Sequence, residues 1–174
     1  MADADVLILG SGIGGLTLAL QAARRGRVLV VTKRDANETN TNMAQGGIAA
    51  VFDRKDSFER HVADTLRSGD GLCDADVVRT VVGEAPERVR DLERMGVPFD
   101  RRAGSFELGR EGGHSIARIA HATDATGRAI EDKLIEALRT HPRVRLLTHH
   151  TAVDLLTPAH QGHDRRAVYD PLGD

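Results

Sequence analysis

The hydrophobic pattern changes period several times along the chain. Val6–Leu9 is a short unbroken apolar run, the pattern of a strand covered on both faces in a parallel sheet. Gly10-Ser11-Gly12-Ile13-Gly14-Gly15 follows at once. Leu16, Leu18, Ala19, Leu20, Ala22 and Ala23 then set a helical pattern, which Arg24-Arg25-Gly26 ends. Val28–Val31 is a second apolar run. The unit is βαβ, for which a right-handed crossover is expected.

Residues 34–47 break the pattern: polar, rich in Asn and Thr, and closed by two glycines. They predict a long loop, a kind of segment that is often functional. Residues 48–52 predict a short strand or an apolar turn. Phe58, Val62 and Leu66 mark a short amphipathic helix. Asp74 is a candidate N-cap for a second helix, whose apolar face runs Val77, Val78, Val81, Val82, Ala85, Val89 and Leu92. Pro86 falls within that face and predicts a kink or a split, and Gly96 a stop. Residues 97–124 look irregular. A third helix after Thr126 carries Ile130, Leu134, Ala137 and Leu138 and stops at His141-Pro142. Val144–Leu147 and residues 152–156 predict strands, and Ala167-Val168-Tyr169 the start of another.

Composition narrows the function classes. The 174 residues are 40% hydrophobic and 29% charged with a net charge of -2, which gives no support for a nucleic-acid or anionic-membrane partner. Aromatic residues are 3% and Trp is absent, which argues against base-stacking platforms. Cys73 is the single cysteine, so no internal disulfide can form. His149, His150, His160 and His163 are irregularly spaced with no acid or Cys to complete a set, and no metal is expected. The acidic MADAD start resembles no signal peptide and the apolar run is too short to span a membrane, which makes the cytoplasm the expected location.

The glycine turn is the strongest local signal. A GxGxxG spacing alone is weak, but here it sits between a predicted strand and a predicted helix. Gly10 permits the tight turn, Gly12 lets the backbone approach a pyrophosphate, and Gly15 lets helix and strand pack closely. The helix N-terminus adds free N–H groups and partial positive charge for phosphates. Which dinucleotide binds is left open by the residues. The second strand ends in Thr32-Lys33 with no acid for a ribose hydroxyl. Thr32 can serve a ribose or phosphate oxygen, and Lys33 a phosphate, so FAD and NADP both remain.

The segment Thr41-Asn42-Met43-Ala44-Gln45-Gly46-Gly47-Ile48-Ala49-Ala50 resembles the AQGGIAA segment of the succinate dehydrogenase/fumarate reductase flavoprotein superfamily. Arg110-Glu111-Gly112-Gly113-His114-Ser115, the run from His121 to Gly127 (HATDATG) and residues 48–71 are similar to its L-aspartate oxidase branch. The similarity runs over residues 5–156. It implies an α/β, Rossmann-like FAD-binding domain with a parallel sheet and flanking helices, incomplete at the C-terminus. Residues 1–174 would be its N-terminal part, with the capping and C-terminal helical domains absent.

The same resemblance implies the chemistry. FAD is the cofactor, with Ser11, Gly12, Ile13 and Gly14 at its pyrophosphate and Lys33 near its ADP half. Asn40, Thr41, Asn42, Met43, Ala44, Gln45, Gly46 and Gly47 line it, the last three nearest the flavin. L-Aspartate is oxidised to iminoaspartate with oxygen or fumarate as electron acceptor, and the product feeds NAD synthesis through quinolinate synthase. Glu111 matches an acid that orients the substrate amine. His114 and His121 either bind a carboxylate or set the loop. The nearest rival is the succinate dehydrogenase or fumarate reductase flavoprotein itself, in which a histidine just before AQGG bonds covalently to FAD. Asn40 stands at that position, so non-covalent FAD is expected. The branch's catalytic Arg lies outside these residues. A catalytically inactive FAD-binding fragment, binding FAD weakly without turnover, is therefore the other expectation.

Overall fold

The structure is a computed structural model, and it describes residues 3–122 and 125–155. In chain order the elements are β1 (Val6–Leu9), α1 (Ile13–Ala22), β2 (Val28–Val31), α2 (Asn40–Met43), β3 (Ile48–Ala49), α3 (Phe58–Ser68), α4 (Ala75–Arg94), β4 (Arg101–Arg102), β5 (Ser105–Phe106), β6 (Leu108–Gly109), β7 (Ile119–Ala120), α5 (Thr126–Thr140) and β8 (Val144–Leu147).

Strands β1, β2 and β8 form a parallel sheet with β2 in the middle, in the register Ile8, Val30, Leu146. Side chains alternate across such a sheet. Ile8, Val28 and Val30 point toward α1 and α5 and are buried with Leu16, Ala19, Ile130, Leu134 and Leu138. The other face differs from the sequence expectation. Leu7 and Leu9 are 52% and 60% exposed, so β1 is covered on one face only. The physical reason is that, among the described residues, both α1 and α5 pack on the same side.

A second, smaller sheet is antiparallel, with β7 between β3 and β6, and β4 and β5 form a hairpin. The rings of Phe52 and Phe99 both pack on that of Phe106 in β5. These short strands replace the irregular stretch expected after residue 97. Helix α3 packs on α4. Asp74 caps α4 as expected, its Oδ1 accepting from the Asp76 and Val77 backbone N–H groups. Gly96 ends it at φ +93. Pro86 does not split α4, which runs unbroken for 20 residues. Its ring is buried on the same face as Val82, Val89 and Leu92, where packing offsets the missing backbone bond.

Two more expectations differ. Residues 34–47 contain the helix α2, because Thr39 caps it and α5 packs against it. Residues 152–155 are exposed and form no strand. Leu156, the Ala167-Val168-Tyr169 strand, His160, His163, Thr123 and Asp124 lie outside the described residues.

Candidate functional site

The glycine turn has the geometry its spacing predicts. Gly10 sits at φ +103, a conformation that side chains rarely adopt, and its N–H donates to Val31 O at 2.8 Å. A Cβ on Gly15 would stand 2.2 Å from Gly10 O, so only glycine lets α1 start this close to β1. Gly12 is the helix N-cap and supplies no side-chain cap of its own, and Ile13 and Gly14 at the start of α1 are exposed. Ser11 points the other way. Its side chain is buried and its hydroxyl donates to Thr32 Oγ1 at 3.1 Å, tying the turn to the end of β2. Lys33, the next residue, is exposed.

The second segment closes on this turn. Thr41 Oγ1 accepts the Ile13 N–H at 3.1 Å, so α2 lies beside the α1 N-terminus. Helix α5 holds α2 from behind. Gly127 N donates to Ala44 O at 3.0 Å, and a Cβ on Gly127 would stand 1.9 Å from Thr41 O. Thr39 donates its hydroxyl to Glu131, which is fully buried on α5. Burial raises the Glu131 pKa and the Thr39 hydrogen bond opposes it. Asn40, Met43, Ala44, Gln45 and Gly46 are exposed along the segment's outer side, while Asn42 Oδ1 is buried without a hydrogen-bond partner.

Gln45, Gly46 and Gly47 then meet the loop that carries Glu111. Together with Gly109, Arg110, Ile119 and His121 they line a cleft of about 570 Å³. A Cβ on Gly46 would stand 3.3 Å from Glu111 Oε1, so this glycine gives the carboxylate its place. Gly47 is needed for a different contact, since a Cβ there would stand 2.2 Å from Ala120 O.

A buried ion network fixes the Glu111 loop. Arg118 is fully buried between Asp56 and Asp64. Its Nε and Nη2 donate to the two oxygens of Asp56 at 2.9 and 2.8 Å, and Nη1 donates to Asp64 Oδ2 at 2.8 Å. The same Asp64 oxygen accepts from the Ser115 N–H at 2.8 Å and hydroxyl at 2.7 Å, which anchors the loop end. Burial pushes the Asp64 pKa up. The hydrogen bonds from Ser115, Arg118 and Arg67 overcome it and hold the carboxyl well below its usual range. His114 belongs to this network, with Nδ1 at 3.2 Å from Arg118 Nη1 and its ring edge against His61. Burial, then the charges of Arg118 and His114, lower the His61 pKa.

The structure thus brings together the glycine turn, residues 40–47 and Glu111 as one continuous surface. It separates the two candidate histidines, with His114 in the network and His121 in the cleft. Sequence reasoning missed Arg118, Asp56, Asp64, Thr39 and Glu131. No local spacing links them, since Asp56 and Arg118 stand 62 positions apart.

The FAD binding domain family matches residues 5–169. L-aspartate oxidase 2-a, chloroplastic, of Nicotiana tabacum is 51% identical over 154 residues, 88% of this chain and 24% of that protein. L-aspartate oxidase of Vibrio cholerae is 48% identical over 170 residues, 94% of this chain and 32% of that one. Among solved structures, the E. coli quinol fumarate reductase is 36% identical with a TM-score of 0.78, covering 82% of this chain and 25% of that one. The chain spans between 24% and 32% of the length of these two curated relatives. It belongs to the FAD-binding domain family within the succinate dehydrogenase/fumarate reductase flavoprotein superfamily, and FAD is its cofactor.

Proposed function

We propose that this chain supplies the pyrophosphate turn, the flavin-side loop and part of the substrate cleft of an enzyme that oxidises L-aspartate to iminoaspartate. Oxygen or fumarate is the electron acceptor, the location is the cytoplasm, and the product goes to quinolinate synthase for NAD synthesis. Residues 1–174 are the N-terminal part of the FAD-binding domain. The relatives named L-aspartate oxidase support this reading. The observation that carries it is the cleft in which Gln45, Gly46 and Gly47 meet Glu111.

The residues present fit FAD. The α1 N-terminus, whose N-cap Gly12 has no side chain, offers the Gly14 N–H to a pyrophosphate, with the Ile13 N–H held by Thr41 Oγ1 beside it. The buried, unpartnered Asn42 Oδ1 gives the loop a free acceptor. Gly10, Gly12 and Gly15 keep the turn compact, Ser11 and Thr32 lock it to β2, and Lys33 is available to the ADP half. Asn40 and Thr41 to Gly47 line the cofactor, Gln45, Gly46 and Gly47 nearest the flavin, and Asn40 makes its attachment non-covalent. When bound, FAD supplies the hydride acceptor. Glu111 binds and orients the substrate ammonium from the opposite wall of the cleft. The Arg118 network holds Glu111 still while it does so.

The test uses flavin fluorescence. FAD added to the purified chain should be quenched on binding, and acid precipitation should release all of it. Flavin that stays with the precipitate would favour the covalent rival. Peroxide release on adding L-aspartate separates the enzyme from a catalytically inactive FAD-binding fragment. Because the chain spans a third or less of these relatives, binding without turnover is the expected result for the chain alone.

A further inference from the structure

His121 sits where Glu111 needs a companion. Its Nδ1 lies 2.8 Å from Asp100 Oδ2, and its carbonyl accepts the Asp100 N–H at 2.8 Å, so one residue fixes both ring and backbone. In the neutral imidazole, a carboxylate on Nδ1 selects the tautomer with the proton on that nitrogen and leaves Nε2 as an acceptor. The Nε2 edge of the ring lies over Gly109. A Cβ there would stand 3.4 Å from Cδ2 and 3.8 Å from Nε2, so glycine leaves the ring its room beside the cleft. The ring is 31% exposed and lines the cleft with Glu111. Arg110, the cation on the same wall, donates its Nε to His114 O at 2.9 Å. Among the described residues the other histidines have different settings: His114 and His61 lie against the Arg118 network, His149 pairs with Asp35, His141 accepts the Arg143 N–H, and His150 Nδ1 meets the Thr148 carbonyl.

We propose that His121 is a substrate-contacting residue of this cleft. It accepts a hydrogen bond through Nε2 from a primary ammonium group that Glu111 also binds, with Asp100 as the positioning residue that sets its tautomer. The reason is complementarity. Two acceptors side by side recognise a group with several N–H donors, and neither offers a donor to a carboxylate. The proposal rests on the reading of the cleft as an amino-acid site, and it names the end of the substrate that the cleft holds.

The experiment is a long-range proton–nitrogen NMR titration of the ¹⁵N-labelled 174-residue chain with FAD present. The probes are L-aspartate and succinate, which carries the same two carboxylates and no amine. L-Aspartate should move the His121 Nε2 resonance and succinate should not. His121→Ala should weaken L-aspartate binding about tenfold or more, the scale of a hydrogen bond to a charged group, and leave FAD affinity unchanged. Asp100→Asn should exchange the Nδ1 and Nε2 shift pattern, showing the other tautomer, with a similar loss of L-aspartate affinity. Three results overturn the proposal. If succinate moves Nε2 as far as L-aspartate does, His121 binds carboxylate. If L-aspartate moves the Gly46 and Gly47 amides and not Nε2, His121 has no part and the proposed function stands. If L-aspartate moves neither, the amino-acid reading falls and this proposal with it.

Discussion

The two walls of the site are made in different ways. The pyrophosphate wall, Gly10 to Gly15, is backbone: a positive φ at Gly10, a missing side chain at Gly15 and a helix start whose N-cap is glycine. The Glu111 wall is a loop held by side-chain charge, with Arg118 buried between Asp56 and Asp64 and Ser115 attached to Asp64. A wall made of backbone tolerates no added atoms at certain points and is indifferent to charge. A wall held by buried ions tolerates shape changes on its exposed side and fails when one charge is removed. The comparison can be tested at both ends.

The largest effect should come from Arg118→Ala. It leaves buried Asp56 without its cation and Asp64 with only the exposed Arg67, and breaking a buried pair costs about 3–5 kcal/mol. The loss is read from the urea midpoint of the 174-residue chain. The triple change Arg118→Met, Asp56→Asn and Asp64→Asn should recover most of it. The buried charges then go together, and the amide oxygen introduced by Asp64→Asn still offers Ser115 an acceptor. A loss under about 1 kcal/mol from Arg118→Ala, the range of exposed pairs, would show that the network does not hold this wall.

Gly15→Ala should come next, with Gly14→Ala as its control. Both residues lie in the first turn of α1. At Gly15 the added methyl meets Gly10 O at 2.2 Å and Ile8 Cγ2 at 3.4 Å, so the backbone must shift; overpacking of this kind costs about 1–3 kcal/mol. At Gly14 nothing lies within 4 Å, and alanine gains helix propensity of up to about 1 kcal/mol. Thermal melts of the two variants should therefore move in opposite directions. If both fall equally, the turn is sensitive to any substitution and the close packing at Gly15 is not the cause.

Legibility in the sequence follows the same division. The βαβ unit, the turn, the cap at Asp74 and the stop at Gly96 are local. Each is set by residues within a few positions, and each stands where its pattern places it. Residues 41–47 and 110–115 were visible as motifs, and Glu111 does come to lie beside Gly46. What the motifs do not carry is the support behind them. Asp56, Asp64 and Arg118 have ordinary neighbours, and only the fold shows that all three are buried. Thr39 and Glu131 stand 92 positions apart and meet because Gly127 lets α5 approach α2. Pro86 does not split α4 for a related reason: its backbone penalty is local, while the packing that offsets it comes from elsewhere in the fold. The double burial expected of β1 failed because four apolar residues specify a strand without specifying what covers it.

Glu131 gives the smallest and most pointed test, because it is a buried carboxylate with no cation among the described residues. Asp64 is held charged by its partners; Glu131 is pushed toward its neutral form by burial, against the Thr39 hydrogen bond. A folded-state pKa above the unfolded value of 4.5 means that folding favours the protonated form. Its contribution is fully present below that value and is lost as pH rises through the folded pKa. Glu131→Gln keeps an oxygen for Thr39 and cannot ionise. At neutral pH it should raise Tm, by less than Gly15→Ala lowers it. The gain should shrink as pH falls through the folded pKa and disappear below the unfolded one. The loop from Thr39 to Ala44 is tied to α5 through this residue, so FAD affinity should rise with Tm or stay level. A drop in Tm at neutral pH would mean that Glu131 is charged and paired in the folded protein, placing α2 with the ion-held wall instead of the backbone-made one.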